Sequence, residues 1–162
     1  MSEARPRQKV IWYVVGCVGL VLASVPCLGI ASAIAIPSFV NYARRAKTTE
    51  ARSTVGVLRN GLLASCAETG ALPDALGPTL AAPGPERQVA TLDPRWSEYG
   101  LVGEPSYYAY AIERPDAATA IIVATGDLDG DGARARFSAT CTTDGSGRAC
   151  SCGELTVTDE LE

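Results

Sequence analysis

Apolar residues are distributed along this chain in three distinct ways. Between Val10 and Ala43 they form a run without a single charged side chain. Its core, VIWYVVGCVGLVLASVPCLGIASAIAI, exceeds the roughly 20 residues that a helix needs to cross a bilayer, and predicts a transmembrane helix over residues 10–36 behind a short basic tail, residues 1–9. From 37 to 70 the pattern becomes helical but one-sided. Phe39, Ala43, Ala46, Ala51, Val55, Leu58, Leu62 and Cys66 recur at spacings of three to five. The opposite face carries Arg44, Arg45, Lys47, Glu50, Arg52 and Arg59, as in a helix that packs one side on a domain and turns the other to solvent. Gly70 stands where a left-handed cap would end it, and Pro73 prevents its continuation.

Beyond residue 106 the period shortens to two. Strands are predicted at 107–112, 119–124 and 133–140, where Ala133, Ala135, Phe137 and Ala139 alternate with polar neighbours. Pro115-Asp116 is expected to make the first turn and residues 127–132 the second. A half-buried sheet of this size needs cover on its apolar face, and the stripe over 39–66 supplies it. The fold class is therefore α+β: a long N-terminal helix packed on a small antiparallel sheet, with 37–162 forming one head domain. Residues 71–105 are rich in Pro and Gly and are expected to form a long loop, packed by Trp96, Tyr99 and Leu101. The sheet and a cysteine-rich C-terminal loop fill 106–162.

Charge fixes how such a chain sits in a membrane. Arg5, Arg7 and Lys9 precede the apolar run and place the N-terminus in the cytoplasm, although Arg44, Arg45 and Lys47 lie on its far side. Of the 14 basic and 18 acidic residues, all the acids but Glu3 follow the run, so the head is acidic and nucleic acid is not expected as a partner. Two other readings apply to the same segment. Ala31-Ser32-Ala33 has the form of a signal peptidase site, which would release a soluble domain after Ala33, and Val14-Val15-Gly16-Cys17 has a weaker likeness to an acylation box.

The chemistry on offer is narrow. There is no histidine, which removes the commonest general base and most nucleophile pairs, and no catalytic residues are assigned. Asp127, Asp129 and Asp131 with Gly132 spell D-x-D-x-D-G, in which alternate carboxylates can converge on a hard cation such as calcium. The twelfth position of an EF-hand loop would here be Ser138 rather than Glu, and the flanks read as strands, so the alternatives are a hairpin-loop calcium site or a plain acidic turn. Cys66, Cys141, Cys150 and Cys152 lie outside the apolar run and suit two disulfides in an oxidising compartment. Because Cys150 and Cys152 are too close to pair well, Cys66 is expected to reach one of the last three. A four-cysteine zinc site and a Cys150-Ser151-Cys152 redox pair are the competing uses.

Two stretches resemble a known family. Residues 33–39, AIAIPSF, followed by Tyr42-Ala43-Arg44-Arg45-Ala46-Lys47 and Glu50-Ala51, resemble the N-terminal helix of the type IV pilins and pseudopilins. Ser106-Tyr107-Tyr108-Ala109-Tyr110 and the later ATGDLDGDG, residues 124–132, are similar to their sheet. The resemblance implies a helix held in the inner membrane that can pack against other pilin-like subunits, with Pro37 where the family places a helix-bending proline. It departs at the processing site. Val15, Gly16 and Leu20 stand where the family carries a Gly, then Phe or Met, and a nearby Glu thought to pair with a neighbour's N-terminal amine. The expectations are thus a single-pass inner-membrane protein with a periplasmic or extracellular head. It would serve as a minor component of a pilus or secretion pseudopilus, or as a tethered binding module that does not assemble.

Overall fold

A computed structural model describes residues 4–144 and 149–160. Residues 1–3 of the expected basic tail and the side chains of Arg5 and Arg7 lie outside the described residues. The first element is one helix, α1 (Ala4–Thr69), with Pro26 and Pro37 inside it. It ends as its sequence foretells: Gly70 takes a φ of 73°, and its N–H donates to the Cys66 carbonyl at 2.8 Å. The chain forms two compact units, Met1–Tyr42 and Ala43–Glu162.

In the first unit every side chain from Lys9 to Tyr42 is exposed. The most apolar 18-residue stretch has a mean hydropathy of 2.3, so this is a candidate single membrane span. Its three serines are bonded to their own helix. Ser24, Ser32 and Ser38 donate their hydroxyls to the carbonyls of Val21, Leu28 and Ile34, at 2.9, 2.8 and 2.9 Å. Serine hydroxyls returned to the helix's own backbone need no water, the condition a hydrocarbon surrounding imposes.

The second unit is α+β. Strands β1 (Tyr108–Asp116), β2 (Thr119–Gly126) and β3 (Ala135–Thr143) form an antiparallel meander, and two short strands, β4 (Cys150–Cys152) and β5 (Thr156–Thr158), share the outer edge of β3. Register brings one apolar set onto one face. Tyr108 opposes Gly126, Tyr110 opposes Ala124, and Ile112 opposes Ile122, which in turn opposes Ala139. Alternation in β3 is clean, with Ala135, Phe137, Ala139 and Cys141 buried. Ala51, Val55, Leu58 and Leu62 of α1 close the core over this face, each no more than 2 % exposed. Two glycines are fixed by close approach. A Cβ on Gly126 would collide with the Tyr108 ring, which stands edge-on to Phe137 at 5.6 Å, and a Cβ on Gly61 would collide with the Tyr99 backbone.

Three expectations are corrected in detail. The apolar stripe of α1 starts later than residue 39, because Phe39 and Ala46 are exposed while Thr48 is buried. Pro115 does not make the first turn. It lies inside β1, an edge strand that tolerates a missing N–H where the register shifts between Glu113 and Asp116, and the chain reverses at Ala117-Ala118 with Asp116 Oδ1 accepting from the Ala118 N–H at 2.8 Å. Ala133 precedes β3 and is exposed.

The long loop is a built segment. Asp93 caps a 3-10 helix (Pro94–Tyr99) that buries Trp96 and Tyr99, with Leu101 partly buried beside them. Farther back, Leu76 exchanges backbone hydrogen bonds with Ile112, and Thr79 donates to Tyr110 O while its hydroxyl accepts the Tyr110 N–H. These contacts cover the free edge of β1, which would otherwise offer itself for strand pairing.

Candidate functional site

The Asp127, Asp129 and Asp131 carboxylates are brought together between β2 and β3, with one oxygen of each within 4.8 Å of the others. Each is also engaged by its own loop. Asp127, buried, accepts from the N–H of Gly130 at 2.7 Å and of Gly132 at 3.2 Å. Asp131 accepts from Ala133 N–H at 2.7 Å. Asp129 Oδ2 pairs with the Arg44 guanidinium at 3.1 Å. Gly130 and Gly132 take φ of 77° and 95°, which is why glycine alternates with aspartate here. The three acids thus form a turn held by its own amides and tied to α1 by an arginine. A cation held by all three carboxylates would compete with Arg44 for Asp129.

The four head cysteines form two disulfides, Cys66–Cys150 and Cys141–Cys152. The first joins α1 to β4, and the second crosses directly opposed positions of β3 and β4. The residue α1 presents at the sheet's edge is therefore fixed to the short strand that sequence alone leaves as a loop. Cys17 and Cys27 in the apolar helix are exposed and unbridged.

A node that the sequence reading placed on the solvent face lies inside the head. Glu50 has a side chain only 18 % exposed. Its Oε1 accepts from Ser106 Oγ at 2.5 Å and from Tyr107 N–H at 3.1 Å, while the Arg87 guanidinium lies 2.8 Å from Oε2 as an ion pair without hydrogen-bond alignment. Tyr107 in turn lies beneath two cations, Lys47 Nζ at 4.5 Å and Arg87 Cζ at 5.0 Å from its ring centre. One signal could have found this node. Glu50 is the only acid between Val10 and Ala67, set in a stretch otherwise basic.

Beside it, α1 and the segment 87–106 enclose a cavity of about 280 Å³ lined by Glu50, Thr54, Val57, Leu92, Leu101 and Tyr110 among others. Burial holds the phenol groups of Tyr108 and Tyr110 above the ordinary tyrosine range, and neither hydroxyl has a well-aligned hydrogen-bond partner. At the surface, the Arg95 side chain holds the Asp93 carboxyl at about 2. These groups bind, cap and orient; the arrangement offers ion pairing and hydrogen bonding. No family model, no curated protein and no solved structure matches this chain.

Proposed function

We propose that this protein is a membrane-anchored, pilin-like structural subunit, without catalytic activity, whose head faces the periplasm or the exterior. The observation that carries the reading is the double use of α1: apolar and uncovered over residues 10–42, then amphipathic and closing the core of a disulfide-bonded sheet over residues 51–66. The basic residues before the run orient the N-terminus to the cytoplasm, and both disulfides lie on the other side, in keeping with an oxidising compartment. In a pilus or pseudopilus the apolar half would pack against the same half of neighbouring subunits.

A second reading, a tethered module that does not assemble, is favoured by one specific feature. No acid occurs between Val10 and Thr49, and Leu20 stands where the family places its assembly glutamate. The intact mass and N-terminal sequence of the protein recovered from its native membranes separate these readings. A start near Gly16 or Cys17 supports processing and assembly. An unprocessed chain retained in the membrane supports the tethered module, and a start at Ile34 overturns both in favour of a released domain. For the acidic turn, the reading we adopt is a self-capped hairpin loop rather than a resident calcium site, because its carboxylates are already engaged by amides and Arg44.

A further inference from the structure

Among the described residues of the head, three large apolar side chains are exposed: Val57, Val89 and Val102. They belong to one place. Val57 and Val102, 47 and 65 % exposed, line the cavity beside Glu50, and Val89 directly precedes Ala90 of the same wall. Leu92 and Leu101, half-buried, continue the aliphatic lining. Single exposed apolar residues are ordinary, whereas a group of them around a concave opening marks a binding place. At about 280 Å³ the space is roughly twice the ~150 Å³ that holds one benzene.

The polar end of this space is short of hydrogen bonds. Tyr110, 2 % exposed, has a phenol hydroxyl with no aligned partner, although the Thr54 and Ser106 hydroxyls stand near it. Glu50 Oε2 likewise accepts no hydrogen bond, and Ser106 Oγ, which donates to Glu50 Oε1 at 2.5 Å, places the two orphan oxygens at the same end. Buried polar atoms are almost always bonded, so two orphans beside one cavity call for a third party. Both oxygens lie just beneath the wall with almost no surface of their own, which admits a small polar group and excludes a broad one. Charge is already balanced there, since Arg87 pairs with Glu50; Glu104, the other ionised group among the described lining residues, is exposed to solvent.

We propose that this cavity binds small uncharged molecules made of an aliphatic body and a single hydroxyl. The hydroxyl completes what the wall lacks: it donates to Glu50 Oε2 and accepts from the Tyr110 phenol, while the body lies against Val57, Leu92, Leu101 and Val102. A carboxylate is repelled by Glu50, and an ammonium brings in a charge whose counter-ion Arg87 already occupies. A ketone accepts from Tyr110 but leaves the carboxylate oxygen unbonded. The site lies wholly within the head, so it stands whether or not the chain assembles.

The test titrates the full-length chain in lipid nanodiscs with cyclohexanol, cyclohexanone and cyclohexylammonium, each at a free concentration fixed by dialysis, and follows the methyl resonances of Val57, Leu92, Leu101 and Val102. Cyclohexanol should move them saturably, with half-saturation at about 1 mM, ordinary for a ligand of this size. Cyclohexanone should bind about fivefold more weakly, as one lost hydrogen bond implies, and cyclohexylammonium more weakly than the alcohol. Tyr110→Phe should weaken alcohol and ketone alike by about fivefold. Glu50→Gln, whose amide donates where the carboxylate only accepts, should close the gap between them. Ala90→Phe, which fills the space, should abolish binding of all three. No saturable shift overturns the proposal, as does a ketone or an ammonium that binds as tightly as the alcohol. Cyclohexanol binding that survives Ala90→Phe places the site elsewhere and overturns it too. Should Ala90→Phe disturb the fold, Tyr110→Phe decides alone, and an unchanged affinity there is fatal to the proposal.

Discussion

The two halves of α1 follow the same backbone rules and depend on different surroundings. Over residues 10–42 the side chains are apolar on every face, and the chain covers none of them. Over residues 51–66 only Ala51, Val55, Leu58, Leu62 and Cys66 are buried, against a sheet the same chain provides. A helix apolar all round is stable only where the solvent itself is apolar or other helices surround it, whereas a one-sided stripe is stabilised by its own domain. On the anchored reading, the comparison predicts that anchoring and folding are separable, and that a change made in one half should leave the property of the other untouched.

The largest effect should come from breaking the first half. Val21→Arg/Val25→Arg puts two guanidinium groups near the middle of the span, at about 2.5–3.5 kcal/mol each against insertion. The variant should be lost from the membrane fraction, while the thermal midpoint of the head stays where it was. A head that melts earlier in this variant would mean the two halves are coupled.

Breaking the second half reverses the pattern. Removing the Cys66–Cys150 bridge, which joins positions 84 residues apart, should destabilise the head by about 4–5 kcal/mol, and removing Cys141–Cys152, 11 residues apart, by about 3 kcal/mol, on the chain-entropy account. Cys66→Ser/Cys150→Ser and Cys141→Ser/Cys152→Ser, compared by denaturant unfolding, should keep that order and remain in the membrane. Equal losses would show that the bridge from α1 to β4 constrains no more than the cross-strand one.

How far the sequence foretold this follows from the same contrast. The apolar run was legible from its length and lack of charge, and the helix stripe and the alternation in β3 because each is a sustained period imposed by one buried face. Disulfides to Cys66 were expected, but the choice of Cys150 depends on β4, a three-residue strand too short to leave a period. Likewise β5 and the bridges from Leu76 and Gln88 to the strand region are made by backbone groups, which carry no side-chain signature. Glu50 was misplaced for a more general reason. A helical wheel counts a carboxylate as outward-facing, yet Ser106, Tyr107 and Arg87 supply it with three partners from a segment distant in sequence.

A smaller effect should appear in alkali, again in the head alone. Burial raises the pKa of Tyr108 and Tyr110 above the ordinary value of about 10. A group whose folded pKa is raised contributes stability that is complete below its unfolded pKa and is lost as pH rises through the folded one. Each tyrosine should therefore cost the head about 1.4 kcal/mol per pH unit above 10 until its folded pKa is passed. Tyr110→Phe should flatten part of this slope in a urea series from pH 9 to about pH 11. An unchanged slope would mean that the phenol is reached by water in the folded head.

The smallest effect concerns the turn that sequence left between two readings. The Arg44–Asp129 pair is partly exposed, so Arg44→Ala should cost no more than about 1 kcal/mol. If the amides of Gly130, Gly132 and Ala133 satisfy the aspartates, millimolar calcium should leave the melting temperature of the wild-type head unchanged. Arg44→Ala sharpens the comparison, because it frees Asp129 Oδ2 from its competing cation and gives calcium its best opportunity. A calcium-dependent rise in melting temperature in Arg44→Ala that is absent from wild type would show that the arginine stands in for the ion. A rise in wild type that Asp129→Ala removes would make the turn a cation site outright, because a ligand selective for the folded state stabilises it in proportion to its occupancy.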